Sequence, residues 1–272
     1  MNDDNIKISS SAEGLDGLSV GLFIPCYVDA VYPEVGMATW KLLKHLGLHV
    51  TYPENQTCCG QPMANAGFEQ QAVPLAEKFE ERFKGFDYVV TPSVSCTAFV
   101  RMNYARLLDG TTAQNNGKRV HECMTAKRCM DVVEFLHDVV QVKGTLGRFP
   151  HKVSLHNSCH GVRELGLSSP SEEHVGRFNK IRDLLSIVND IEVVEPERPD
   201  ECCGFGGMFS VEEPDVSARM GRDKIARHIA TGAEYITGPD SSCLMHMSGI
   251  AAKDGEKRIK FIHIVEILAQ GL

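Results

Sequence analysis

The chain has 272 residues, is 43% hydrophobic and 24% charged, and carries a formal net charge of −8. That length suits one large domain or two smaller ones, each able to bury a core. The acidic balance and the lack of any Lys/Arg-rich block exclude wholesale nucleic-acid binding. No run approaches the roughly 18 apolar residues that cross a bilayer, so no transmembrane segment is expected. Peripheral docking to a membrane enzyme stays open.

The chain opens MNDDNIKISSSAEG, acidic and then small and polar. It lacks the basic start and apolar stretch of a secretory signal. Residues 1–16 read as a flexible tail, and the protein as cytoplasmic.

Beyond the tail, strand and helix patterns alternate. Leu18–Ile24 is a short apolar run ending in Pro25-Cys26, followed by a helical pattern over Glu34–Leu46. Leu48–Tyr52 reads as a strand leading to Cys58-Cys59, Ala66–Phe83 as a helix, and Tyr88–Thr91 as a strand leading to Cys96 and another helix. The second part repeats this with Lys152–His156, Glu173–Val188, Glu192–Val194, Val211–Thr231 and Tyr235–Thr237. The alternation predicts an α/β fold of two duplicated halves, each a mainly parallel sheet flanked by helices, related by a pseudo-twofold axis. The halves are expected at 17–148 and 149–272, with Gly144, Gly147 and Pro150 marking the junction.

Ten cysteines are the compositional anomaly. Eight fall into two sets: Cys26, Cys58-Cys59-Gly60 and Cys96, then Cys159, Cys202-Cys203-Gly204 and Cys243. As motifs these are C-x31-C-C-G-x35-C and C-x42-C-C-G-x38-C. Similarity extends outside cysteine. Lys118-Arg119-Val120 resembles Lys257-Arg258-Ile259, Val133–Leu136 resembles Val265–Leu268, and Tyr88–Ser93 resembles Tyr235–Asp240. Cys123 and Cys129 lie outside both sets and read as ordinary thiols.

In a long chain without an export signal, patterned cysteines point to metal or redox chemistry rather than disulfides. Each motif cysteine follows a predicted strand near a helix start. That places it on the sheet edge where open α/β folds bind ligands. Four thiolates commonly hold an iron–sulfur cluster, and each half supplies four. Gly60 and Gly204 permit the bent Cys-Cys-Gly loop, and Gly206 and Gly207 allow backbone N–H groups to approach a cluster. Structural zinc more often uses close C-x-x-C or H-x-x-x-H pairs, which these sets lack. Buried packing thiols and a vicinal disulfide serving thiol exchange are the other readings.

The duplicated pattern resembles the cysteine-rich "CCG" domain family. The segments that carry it are Thr57–Pro62, Pro92–Thr97, Cys202–Ser210 and Ser242–Met245. Members include heterodisulfide reductase B subunits and the iron–sulfur subunits of glycolate oxidase and anaerobic glycerol-3-phosphate dehydrogenase. The nearest resemblance is to the A subunits of bacterial L-lactate utilisation complexes. It implies an iron–sulfur electron-transfer subunit, with clusters of the 4Fe–4S kind on Cys26, Cys58, Cys59 and Cys96 and on Cys159, Cys202, Cys203 and Cys243. It also implies a ferredoxin-like iron–sulfur partner subunit, a third subunit, and oxidation of L-lactate to pyruvate. The alternatives are heterodisulfide reductase-like thiol–disulfide chemistry or service to another 2-hydroxy-acid oxidase, such as glycolate oxidase.

In heterodisulfide reductase each set ends in C-x-x-C. Here Phe99 and His246 take the last position, and His246 alone of the two could ligate. His156, His160 and Arg163 around Cys159 are candidate catalytic or substrate-binding residues. They make the second site the richer one, since Tyr27, Gln61-Pro62 and Phe99 occupy the comparable places in the first half.

Overall fold

Four short runs, Ser-Val-Gly-Leu, Tyr-Val-Val-Thr, Lys-Val-Ser-Leu and Tyr-Ile-Thr-Gly, form the centres of two sheets. Each has a half-buried first residue followed by three buried ones. Strands covered on both faces are what a parallel sheet between helix layers requires. The computed structural model describes residues 7–10, 15, 17–109 and 124–272.

The strands are β1 (Lys7–Ser10), β2 (Ser19–Leu22), β3 (His49–Thr51), β4 (Tyr88–Thr91), β5 (Cys129–Asp131), β6 (Val142–Arg148), β7 (Lys152–Leu155), β8 (Val188–Asn189), β9 (Glu192–Val194), β10 (Tyr235–Gly238) and β11 (Lys260–His263). One sheet has the order β3-β2-β4-β5 and the other β9-β7-β10-β11, all neighbours parallel. The orders match strand for strand, so the halves share one topology. Ser93 and Asp240, equivalent residues just beyond β4 and β10, pair with each other in an isolated antiparallel bridge. The pseudo-twofold relation therefore passes between them.

The same correspondence governs helix starts. Cys26 opens helix Cys26–Val31 and Cys159 opens helix Cys159–Arg163. Cys96 is the third residue of helix Val94–Asp109, and Cys243 the third of Ser241–Lys253. One apolar core runs through both halves, joining Val20, Leu22 and Val94 to Val153, Leu155 and Ile264.

The structure departs from the sequence expectations in four places. Part of the expected tail, Lys7–Ser10, is a strand: β1 pairs antiparallel with β6, and β6 pairs with β8. Gly144 and Gly147, expected as junction residues, lie within that third sheet. The helix expected over Glu173–Val188 is confined to Lys180–Leu185, because the Asn179 side chain caps it by accepting from Ile181 and Arg182 N–H. The helix expected over Val211–Thr231 divides into Phe209–Glu212 and Pro214–Ala230, where Pro214 takes the first position of the longer piece. The Lys118-Arg119-Val120 segment and Cys123 lie outside the described residues. Among the described residues, no helix is long and apolar enough to cross a membrane.

Candidate functional site

The short βα connections bring the cysteines of each half to the carboxyl edge of its sheet. Gly60, at φ 92°, turns the chain from Cys59 into helix Gln61–Asn65, and Gly204 adopts the same left-handed turn at φ 89°. These turns bend each Cys-Cys pair so that both sulfurs face one site.

In the first half the sulfurs form a continuous series. Cys26 contacts Cys58, Cys58 contacts Cys59, and Cys59 Sγ lies 3.4 Å from Cys96 Sγ. The second half repeats it as Cys159, Cys202, Cys203 and Cys243. Gly60 N–H points at Cys58 Sγ at 3.4 Å, and Gly204 N–H at Cys202 Sγ at 3.3 Å. Cys59, Cys96, Cys203 and Cys243 are buried, whereas Cys26 is exposed and Cys58, Cys159 and Cys202 are half-buried. Each foursome thus has a floor inside the protein and a mouth towards solvent. All nine described cysteines are free thiols.

The electrostatics are also duplicated. Hydrogen bonds from Cys26, then Cys59 and the Gly60 N–H, hold the Cys58 thiol far below its ordinary range against the opposing effect of burial. Cys159, Cys203 and the Gly204 N–H do the same for Cys202. The donors move the other way: Cys26 and Cys159 are raised by these same bonds and by burial. The first cysteine of each Cys-Cys pair is therefore the sulfur on which the hydrogen bonds of its foursome converge.

The walls behind the two foursomes differ. Phe23 and His156 each stand three residues before the first cysteine of their half. Phe23 N–H donates to Val90 O and His156 N–H to the equivalent Thr237 O. Along the following long helices, Ala72, Ala76, Phe79 and Phe83 recur at identical spacing as Ser217, Gly221, Lys224 and His228. Phe23 packs edge-on against Phe79 and Phe83 at 5.2 and 5.7 Å between ring centroids. In the second half His156 meets His228 at 6.1 Å.

The exchange extends to the sheet. Gly21 leaves room for Phe83, whereas its equivalent Ser154 hydrogen-bonds His228 Nδ1 at 2.7 Å. Lys224 Nζ donates to Arg198 O at 2.8 Å and Pro199 O at 3.1 Å. Burial lowers the pKa of His156 to about 3, of His228 to about 2 and of Lys224 to about 8. Lys224 and His228 escaped the sequence reading. The repeated helix spacing, compared residue by residue between halves, would have exposed them.

Other sequence candidates fall in varied places. His160 Nδ1 approaches Cys159 Sγ at 3.7 Å, beside the mouth of the second site. Arg163 turns away and pairs with Glu172 at 3.0 Å. His246 Nε2 faces Ser217 O at 3.4 Å, and its ring packs 5.7 Å from Phe205. Among the described residues it is His156, with Cys203 and Cys243, whose donor atoms lie within 4.8 Å of one another. Phe99 is buried against Tyr104, whose hydroxyl donates to Cys59 O at 2.8 Å. Gly206 and Gly207 turn the chain into helix Phe209–Glu212. Cys129 lies in β5 within the apolar core, where burial pushes its thiol up.

Comparison with known proteins agrees with this duplication. The cysteine-rich domain family CCG matches twice, at residues 20–101 and 153–248. Lactate utilization protein A of Exiguobacterium sp. is 37% identical over 93% of this chain and 98% of its own length. Lactate utilization protein A of Geobacillus kaustophilus is 35% identical over 92% of this chain and 98% of its own. Among solved structures, Picrophilus torridus aspartate racemase aligns over 93% of this chain and 91% of its own, at 16% identity and a TM-score of 0.30. Two domain matches in register with two equivalent cysteine sites, and full-length identity above one third, establish that the chain belongs to the cysteine-rich CCG domain family and, within it, to the lactate utilization protein A family.

Proposed function

We propose that the chain is an iron–sulfur electron-transfer subunit serving the oxidation of L-lactate to pyruvate. The observation that carries this reading is the pair of equivalent cysteine foursomes, each with a buried floor and an open mouth. The donor set suits the group: thiolates are the usual protein ligands of such clusters, and hydrogen bonds to sulfur tune them. Cys26, Cys58, Cys59 and Cys96 would hold one centre, and Cys159, Cys202, Cys203 and Cys243 the other. Such clusters, when bound, accept and pass electrons singly.

The protein's own residues supply the setting. Gly60 and Gly204 N–H groups point at the sulfurs at the mouths. The Phe23–Phe79–Phe83 wall keeps water from the first floor. His160, half-exposed beside Cys159, is placed to meet an anionic partner. Removal of two electrons and two protons from lactate belongs to another subunit, with this chain relaying the electrons. A ferredoxin-like subunit and a third subunit of the same complex are the proposed partners, in the cytoplasm.

The test is anoxic purification followed by iron and acid-labile sulfide analysis and EPR. Lactate-dependent reduction of an artificial acceptor is then measured with and without the partner subunits. Iron with matching sulfide, and turnover only when the subunits are combined, is the expected result. Anoxically prepared protein that contains no iron rules out the reading. Iron-loaded protein that cleaves disulfides but passes no electrons from lactate points to the heterodisulfide reductase type of chemistry.

A further inference from the structure

The second site contains a residue that the four-cysteine description does not explain. His156 is fully buried, and among the described residues neither Nδ1 nor Nε2 has a hydrogen-bond partner. Leaving a buried polar group unpaired is unfavourable. The first half shows that the same place accepts an apolar ring, since Phe23 fills it at no such penalty. A histidine retained there calls for a partner that the described residues do not provide.

The surroundings say what kind of partner. A ring nitrogen of His156 lies within 4.8 Å of both Cys203 Sγ and Cys243 Sγ, the two buried sulfurs of the foursome. Donors around one tetrahedral metal ion stand about 3.3–3.8 Å apart, given bonds of about 2.0–2.3 Å. A modest rotation of these side chains spans any difference. His160 lies at the mouth, beside Cys159, and His246 turns its Nε2 to Ser217 instead. Lys224 is held by two backbone carbonyls. His228 Nδ1 is held by Ser154; its Nε2 is also buried without a partner among the described residues, but His228 is not among the donors gathered within 4.8 Å around Cys203 and Cys243.

We infer that His156 is a nitrogen ligand of the second metal site, joining Cys203 and Cys243. The second centre is then held by mixed nitrogen and sulfur donors, and the first by sulfur alone. This deepens the iron–sulfur reading and rests on it. The two centres of one duplicated protein would differ in charge and potential, because neutral imidazole replaces or supplements thiolate at one of them.

Cobalt(II) tests the ligand set independently of cluster assembly. Reduced, metal-free protein carrying Cys58→Ser and Cys59→Ser retains only the second foursome. It should bind Co2+ with the visible absorption of a mixed nitrogen–sulfur tetrahedral site. Adding His156→Phe, which copies the first half, should weaken binding at least about tenfold and shift the ligand-field bands. His156→Cys should restore tight binding with stronger sulfur-to-cobalt charge transfer, which a merely structural role would not produce.

Unchanged affinity and bands in folded His156→Phe protein overturn the inference, as does failure of the parent variant to bind Co2+. Should His156→Phe not fold, the His156→Cys spectrum decides: bands identical to the parent's also overturn it. If Co2+ behaves as expected but wild-type protein prepared anoxically holds no iron, the iron–sulfur reading fails and the His156 ligand stands.

Discussion

Tyr27 and Asp240, 213 residues apart in the chain, are hydrogen-bonded at 3.1 Å across the seam between the halves. Tyr27 follows Cys26, and Asp240 stands three residues before Cys243. The Asp240 carboxyl also accepts from Ser242 N–H at 3.0 Å and, across the seam, from Ser95 N–H at 2.7 Å. One side chain thus caps the starts of both helices that carry the floor cysteines Cys96 and Cys243. Ser93, its equivalent in the first half, completes the link through Tyr27 Oη at 2.9 Å.

Removing this cap should loosen both sites together. Asp240→Ala is expected to destabilise the protein by about 2–4 kcal/mol, since it deletes two cap interactions and leaves buried donors unpaired. Asp240→Asn keeps a capping oxygen and should lose about 1 kcal/mol. Urea unfolding of the three proteins checks the order. An Asp240→Ala protein as stable as wild type would show that the seam is held by apolar packing alone.

Stability should fall on mild acidification. Burial holds His228 at about 2 and His263 at about 4, against about 6.5 in an unfolded chain. Between roughly pH 6.5 and 4 the unfolded chain therefore binds protons that the folded protein refuses, and stability rises with pH across that window. Lowering the pH from 7.5 to 5.5 should remove about 1 kcal/mol for each histidine. His263 also caps helix Ile264–Leu268 by accepting from Val265 N–H. His263→Asn keeps a cap while removing the titration, so its stability profile should be flatter by about 1 kcal/mol over the same range. A profile identical to wild type would exclude His263 from the acid sensitivity.

Much of this architecture is legible in the sequence, for local reasons. Tyr88–Thr91 and Glu192–Val194 are strands as their patterns predict, because short β-branched runs between turn residues have few alternatives. The cysteine sets and Gly60 and Gly204 announce the two sites in the same way. The features that escaped depend on distant partners. Lys7–Ser10 is a strand only because β6 lies beside it, and Glu173–Asn179 stays non-helical while Asn179 caps the helix Lys180–Leu185. The replacement of Phe23, Phe79 and Phe83 by His156, Lys224 and His228 is hidden in another way. Buried polar residues interrupt the apolar periodicity by which a core face is recognised.

The two Cys-Cys-Gly turns should tolerate a methyl group unequally. Both glycines have positive φ, where an alanine costs about 1–2 kcal/mol in backbone strain. A Cβ on Gly60 would meet Ala72 Cβ at 3.1 Å, which a small shift relieves. On Gly204 it would stand 2.7 Å from both Met220 Cβ and Ser217 O, so the helix itself must move. Gly204→Ala should therefore lower the thermal midpoint clearly more than Gly60→Ala and impair metal uptake at the second site. Equal effects would mean that the helix over Gly204 yields as easily as its counterpart over Gly60.

Metal content should divide between the halves. In anoxically prepared protein, Cys58→Ser/Cys59→Ser should remove about half of the iron and sulfide, and Cys202→Ser/Cys203→Ser the other half, if each foursome holds its own centre as proposed. Cys129→Ser serves as the control: its thiol lies in the strand core behind the first site and should leave iron content intact, whatever it does to stability. Electron flow from lactate need not divide in this way. If the centres act in series, either double variant stops it entirely, so half the iron accompanies no turnover. If they act in parallel, each variant keeps a share of the rate. Loss of all iron from either double variant would instead mean that one centre bridges the two halves, and the two-site description would have to be abandoned.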